Sequence, residues 1–563
     1  MDIDELEQTD LWSLYEKCSN FLSRRNIYSD TDLNNRMYNG DQWHGLKIEG
    51  VEKIQYPFIK QIVKQKVGTI TSNLFAVNYS PENIENSEFI PIAQKACDLL
   101  NKKASKVWDK DFMDKKVKKW AKQSAINDEA VAYVTYDYDE DMPINEVISK
   151  NDIMYGNENE EEIQLQPFIL VRQRKTVIEL QEMARKEQVD EKLVNNIITD
   201  NDTSTVAGDS GKDELDEKCW LITKFYRKNG IIYFSQATKY CEIKKERSMG
   251  TTLYPFAHFN WEDQEGNARG VGEVRQLIPN QIETNKIAMR RAVTSKNISY
   301  PQRVVAVDNI ENPQDVNKIG ATVKFRTNGG TVRAGDVFMV TTPGQMGTDS
   351  EKLQTELISY SKDLNNVADA TTGNINPETA SGRAILAVQN AQNQPLNEQV
   401  VGLKSFIEDI ARIWFEMWKV YAKNGLVIEV DGVSPDTGER TITTEKLPNY
   451  ILDALSTSVK VDITPKGAFD KYAQELSLEN MFTSGAITFE EYVESLDTDS
   501  VMPKPKLENI VHKRKEAQDQ INAIDNQAQM LRNEQQLRMT NANEIENIAN
   551  IGNELINQAT TEV

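Results

Sequence analysis

From Val274 the chain repeats apolar residues at a helical interval: Val274, Ile278, Ile282, Met289, Ala292 and Val293. The stripe is thin for its length, and polar Asn285 takes one place in it. The stretch 280–297 alone would reach roughly 27 Å at 1.5 Å per residue. Such a rod cannot complete its burial within itself. Pro279, lacking an amide donor, is expected in a first turn or at a kink. A compact β-rich insert follows at Arg303–Val307, Thr322–Arg326, the turn Asn328-Gly329-Gly330 and Val337–Val340. A second helix is expected at about Asp349–Ala368, then a small polar segment from Thr371 to Pro377. Helix resumes from about Ser381 to Lys423, interrupted near Pro395. Its later part would reach roughly 42 Å. The stripe there, Leu403, Phe406, Ile407, Ile410, Ile413, Trp414, Met417 and Tyr421, reads as packed core, with Gly425 suited to the C′ position.

The rest of the chain is more ordinary. Its 563 residues exceed what one hydrophobic core serves, so two to four substructures are expected. An apolar share of 39% supports folded cores and excludes disorder throughout. A net charge of −22 argues against a surface that grips nucleic acid everywhere, because such binding draws on displaced phosphate counterions. Cys18, Cys97, Cys219 and Cys241 are scattered, which suits a reducing compartment and neither a disulfide framework nor a zinc site. No run of about 18 apolar residues occurs, so no bilayer span is expected. The acidic start MDIDELEQTD reads against a secretory signal.

Residues 1–125 read mostly as helix: Leu11–Tyr28, Pro57–Asn73 and Ile92–Gln123, with the polar, aromatic stretch Tyr38-Asn39-Gly40-Asp41-Gln42-Trp43 between the first two. Nine Lys oppose three Asp between Asn101 and Lys122, which reads as a solvated face opposite a buried stripe. Strand signals take over at Val131–Tyr136, Pro167–Arg172, Cys219–Tyr226 and Ile231–Ser235. Asn229-Gly230 joins the last two as a hairpin turn. Asp137–Ile163, with ten acids and one lysine, and Asp200–Glu217 read as mobile surface segments. Leu426–Val430 and Ser458–Ile463 read as strands, and the last hundred residues as helix. Sixteen of the 48 positions 516–563 are Asn or Gln, so the thin seam there needs neighbouring copies or frays.

Catalytic constellations are hard to assemble. His44, His258 and His512 lack metal-pair spacing, and neither GxxxxGK[ST] nor GxSxG occurs. Arg269-Gly270-Val271-Gly272-Glu273 lacks the third glycine and the lysine of a nucleotide loop, and reads as a flexible lead-in to a helix. Asp137, Asp139, Glu140 and Asp141 could hold a divalent metal for a nuclease, but their place after a strand and before Pro143 favours a solvated hairpin tip. Basic charge gathers in one place. Lys286, Arg290, Arg291, Lys296, Arg303, Lys318, Lys324, Arg326 and Arg333 are opposed only by Asp308, Glu311 and Asp315. That excess suits an acidic partner or a passing phosphate backbone.

The order helix, small β module, helix, polar loop, long helix over 270–424 resembles the centre of a bacteriophage portal protein. Three stretches carry the resemblance: Tyr38 to Trp43; Gly270-Val271-Gly272-Glu273-Val274-Arg275-Gln276-Leu277-Ile278-Pro279-Asn280-Gln281 with Asn285-Lys286; and Gly373-Asn374 with Thr379-Ala380-Ser381-Gly382-Arg383-Ala384-Ile385. It implies an α+β, predominantly helical fold. Residues 1–270 would form the wing, 271–298 the first stem helix, 299–346 the clip and 347–370 the second stem helix. Residues 371–381 would form a tunnel loop facing DNA, 382–465 the long wing helix and wing strands, and 466–563 the crown. The DNA-facing residues would be Thr371, Thr372, Gly373, Asn374, Ile375, Asn376, Pro377, Glu378 and Thr379.

The resemblance further implies a ring, a homododecamer, at one capsid vertex of the virion, assembled in the host cytoplasm. Double-stranded DNA would be packaged and ejected through it. The major capsid protein, the terminase and head-tail adaptor proteins would dock on it. No enzyme activity and no cofactor are expected. A channel must not grip the polymer it passes, so an acidic wall and a loop whose one charge is Glu378 suit sliding. The alternatives are a metal-dependent phage DNA enzyme using Asp137–Asp141, and a virion or scaffold component without a channel.

Overall fold

A computed structural model describes residues 7–47, 52–72, 74–82, 89–200, 217–299, 303–316, 318, 322–330, 332–340, 348–365, 394–423, 425–433, 440–464, 478–496, 506–507, 510–511, 513–514 and 551. They form a mixed α+β structure in which helix outweighs strand. Two compact units divide the chain, 1–464 and 465–563.

The first unit begins with α1 (Asp10–Arg24), capped by the Thr9 hydroxyl, which accepts the Trp12 N–H at 3.2 Å. Asn26 at φ 61° separates it from α2 (Ile27–Asn39), so the single helix expected across Leu11–Tyr28 is broken. α3 (Phe58–Ile70) and β1 (Leu74–Pro81) follow. Ile92–Gln123 also divides, into α4 (Ile90–Lys110) and α5 (Met113–Asn127). Phe112 makes the break at φ 52° with its ring 71% exposed, while Met113 is fully buried.

β2 (Glu129–Asp137) is the middle of a three-stranded antiparallel sheet between β3 (Met142–Ile148) and β9 (Phe256–Asn260). β4 (Ile153–Tyr155), β5 (Phe168–Thr176), β6 (Lys218–Lys228), β7 (Ile231–Ala237) and β8 (Glu242–Ser248) form a five-stranded antiparallel meander. The short α6 (Val177–Lys186) and α7 (Glu191–Val194) follow β5. Asn229 and Gly230 both take positive φ, 53° and 80°, as the β6–β7 turn requires.

The expected acidic loop Asp137–Ile163 is mostly structure. Only the turn 138–141 is a loop before β3, and β4 lies beyond it. Pro143 is tolerated because β3 is an edge strand. Of the other expected loop, 201–216 lies outside the described residues. Asp200 accepts Arg174 Nη1 and the Trp220 N–H, both at 2.7 Å.

α8 (Glu273–Ser299) holds Pro279 in its second turn, not the first. Its missing N–H leaves the Arg275 carbonyl without an i→i−4 partner. β10 (Arg303–Val305) pairs antiparallel with β11 (Phe338–Val340), which the short α9 (Ala334–Val337) precedes. Thr322–Arg326 is no strand; only Phe325 bridges, to Ile310. α10 (Asp349–Leu364) and α11 (Asn397–Tyr421) follow. Gly425 is not the C′ residue of α11. It lies just before the strand that begins at Leu426, at φ 84°, where a Cβ would stand 2.7 Å from the Leu447 carbonyl oxygen.

α11 is the axis of the main core. Leu403, Phe406, Ile407, Ile410, Ile413, Trp414, Met417 and Trp418 are buried, packed with Trp120, Phe259 and Tyr79. β12 (Leu426–Val433) and β13 (Arg440–Leu447) form a hairpin, followed by α12 (Asn449–Ala454). β14 (Thr457–Thr464) pairs antiparallel with β1, bringing the last strand of this unit onto its first. In the second unit, α13 (Phe489–Ser495) carries a capping box from Thr488 to Glu491. Phe489, Tyr492 and Val493 of this helix and Leu496 just after it cluster with Leu478, Ile487, Leu507 and Val511. Most of the helix expected over the last hundred residues lies outside the described residues. Among the described residues, no helix is long and apolar enough to cross a membrane.

Candidate functional site: the α8–α10 helix pair and its basic module

The lead-in to α8 is clamped, not flexible. Gly270 lies so close to the Glu262 carbonyl that a Cβ would approach it to 2.4 Å, and Gly272 donates its N–H to Asp128 Oδ1 at 2.7 Å. Between them and β9 lies a buried charge cluster. Arg269, 2% exposed, grips Glu158 through Nε at 2.9 Å and Nη2 at 3.2 Å, and reaches Glu129 through Nη1. His258 Nε2 lies 3.0 Å from the other Glu129 oxygen. Burial pushes the Glu129 carboxyl up, but Arg269, then His258 and Lys150, outweigh it and hold the group down at about 2. Burial likewise opposes the Arg269 charge, and the carboxylates of Glu129 and Glu158 more than restore it. Glu273, in the first turn of α8, accepts Trp261 Nε1 at 3.2 Å and pairs with Lys66 at 2.7 Å. A carboxylate there also meets the positive end of the helix dipole.

Farther along, the polar residues of the stripe find partners. Gln281 Nε2 donates to the Tyr56 carbonyl at 2.7 Å and to Asn285 Oδ1 at 3.0 Å. Asn285 Oδ1 also accepts the Tyr56 N–H at 3.2 Å, and its Nδ2 donates to Gln42 Oε1. Two of the three stretches singled out in the sequence thus meet through Gln42 and Asn285, although 243 positions separate them.

α10 lies antiparallel on α8 through polar contacts, beside Ile358, which packs on the main core. Asn280 Nδ2 donates to Ser361 Oγ at 3.0 Å, and Arg291 Nη1 to Gln354 Oε1 at 2.9 Å. Arg291 also pairs with Glu351 at 3.3 Å. The basic residues therefore divide. Arg291 faces α10, whereas Lys286 and Arg290 are exposed and share Glu283, at 3.6 and 3.4 Å. Lys296 is exposed near the end of α8, where its charge suits the negative end of the dipole. Arg303 stands opposite Val340 in the β10–β11 pair. Lys324 and Arg326 are exposed, tied by their backbone N–H groups to Asn312 Oδ1 and the Asn309 carbonyl; Lys318 pairs with Asp315 at 2.7 Å. The Arg333 N–H is accepted by Asp336. The candidate tunnel loop, Thr371 to Thr379, lies outside the described residues.

The acidic turn works on its own backbone. Asp137 Oδ1 accepts the N–H groups of Asp139 and Glu140, Asp141 accepts the Tyr136 hydroxyl, and Glu140 pairs with Lys110 at 3.0 Å. No group of His, Cys, Asp and Glu placed to hold a metal ion occurs among the described residues. The buried Arg269–Glu129–Glu158 cluster escaped the sequence reading. Polar Asn285 inside an apolar stripe was the one visible sign that α8 meets polar partners. No protein-family model matches the chain, and no curated protein matches it.

Proposed function

We propose that the chain is the subunit of a portal ring, the channel at one capsid vertex through which viral double-stranded DNA enters and leaves. The observation that carries this reading is the antiparallel helix pair α8–α10, joined by a small β module and held at its root by a buried ionic clamp. A long helix anchored in the core at its start and paired with a second helix beyond it suits a stem that transmits load between a body and a docking tip. In this reading α8 and α10 are the stem and 299–346 is the clip that meets terminase and head-tail adaptors. Residues 1–270 and 382–465 are the wing, which contacts the major capsid protein. Residues 466–563 are the crown, and Thr371–Thr379 face DNA. The exposed Lys286, Arg290, Lys324 and Arg326 would then greet an acidic docking partner or a passing phosphate chain. The expected count is twelve subunits, and the protein performs no catalysis of its own.

Purified full-length chain viewed by negative stain, with mass measured under native conditions, tests the reading. Closed rings with a central hole and one fixed subunit number are expected. A folded monomer at every salt and protein concentration would overturn it.

A further inference from the structure

We propose that α10 is covered by α8 of a second copy of this chain, in a head-to-tail contact; the contact rests on the ring reading above and specifies its interface. α10 turns a line of apolar residues outward. Leu353, Tyr360 and Leu364 are 47%, 60% and 80% exposed, and Leu357 is half-buried between them. Their spacing of four, three and four residues is that of a helix–helix seam. The neighbour within the chain does not fill this seam, since α8 meets α10 through Ser361 and Gln354.

Charge decides which surface fits. Asp349, Glu356 and Asp363, seven residues apart, run as an exposed line beside the seam, on the flank away from Ser361 and Gln354; Lys352 is the one cation in that line, which stays acidic by three charges to one. Two copies joined by a two-fold axis through α10 would set this line against itself, which costs energy. The outer face of α8 is the complement. Arg275, Lys286 and Arg290, eleven and four residues apart, fall on one exposed stripe, with Pro279 and Val293 supplying apolar surface in the same line. One copy's basic stripe on the next copy's acidic line leaves each copy with one used and one open face. That is a heterologous contact, which closes into a ring when the rotation between copies permits.

Cross-linking between separately made variants tests the pairing. Full-length Lys286→Cys and Glu356→Cys copies are mixed, assembled and treated with a short bis-maleimide, with the unsubstituted chain giving the background from Cys18. Dimeric product at least tenfold above background is expected only in the mixture. Equal product from Glu356→Cys alone would establish a two-fold contact and overturn the proposal, as would assembled rings that give no product. Leu353→Asp with Tyr360→Asp should cut the assembled fraction at least tenfold while the melting curve of the protomer stays in place, because both side chains are already exposed. Undiminished assembly would overturn this contact and leave the portal reading standing. Failure of the unsubstituted chain to assemble would remove both.

Discussion

α11 and the α8–α10 pair are both long helices with apolar stripes, yet they bury those stripes in opposite ways. α11 turns Phe406, Trp414 and Trp418 into its own unit, each no more than 1% exposed, against Trp120, Phe259 and Tyr79. α10 turns Leu353, Tyr360 and Leu364 to solvent and meets α8 through hydroxyl, amide and guanidinium groups. The difference teaches that an apolar period on a helix says a face will be covered, not by what. α11 completes its burial within one chain, so its contribution is folding stability. α10 leaves burial undone, so the same chemistry is available for association.

The sharpest way to break that contrast is to remove a side chain from α11. Trp414→Ala deletes a fully buried indole, opens a cavity and strands Asn145, whose Oδ1 accepts Trp414 Nε1 at 3.1 Å. A loss of about 3–5 kcal/mol is expected in chemical denaturation. A loss under about 1 kcal/mol would mean that α11 is not the main core. Next in size is the clamp at the root of α8. Arg269→Met leaves Glu129 and Glu158 buried without their guanidinium, at a cost of about 3 kcal/mol. Glu129 gives this a pH signature. Its folded value, about 2, lies below its ordinary 4.5, so the stabilisation is present above about pH 4.5 and is lost as pH falls toward 2. In Glu129→Gln that acid-side loss should flatten, measured as melting temperature against pH. An unchanged slope would remove Glu129 from the ionised cluster.

Local rules explain what the sequence revealed of these two regions. The α11 stripe, the β6–β7 turn at Asn229-Gly230 and the start of α8 depend on neighbours a few positions apart, which a reader of the chain can see. The break at Phe112 does not, whereas that at Asn26 falls on a residue type that tolerates positive φ. An exposed phenylalanine at φ 52° carries no turn signal, and the bend is imposed by the burial of Met113 beside it. The acids flanking β3 within 137–163 hid the strand, because their loop-like composition outweighs the short apolar content of Ile144, Val147 and Ile148. Arg269 and Glu129 lie 140 positions apart, so no spacing could pair them. The candidate site was legible as a helix–module–helix order. Its clamp and its polar helix contact were not.

Smaller substitutions sharpen the comparison on the α8 side. Asn285→Ala removes the group that joins Gln42, Tyr56 and Gln281, leaving amide partners with less than their full set of bonds. A cost of about 1–2 kcal/mol is expected, well below that of Trp414→Ala. An effect as large as the tryptophan's would mean that α8 belongs to the core as fully as α11 does.

The least effect on folding is expected at Glu283. It sits between Lys286 and Arg290 at 3.6 and 3.4 Å, and all three side chains are well exposed, at 41%, 47% and 63%. Water and salt screen such pairs, so Glu283→Gln should change unfolding stability by under about 0.5 kcal/mol. Assembly is a separate matter, because the substitution removes the carboxylate that Lys286 and Arg290 share. Rings of Glu283→Gln should therefore persist to higher salt than those of the unsubstituted chain, read by sedimentation across a salt series. Earlier dissociation would mean that Glu283, and not its two cations, supplies the attractive charge, and the contrast between a self-sufficient α11 and an associating α8–α10 pair would need a different electrostatic basis.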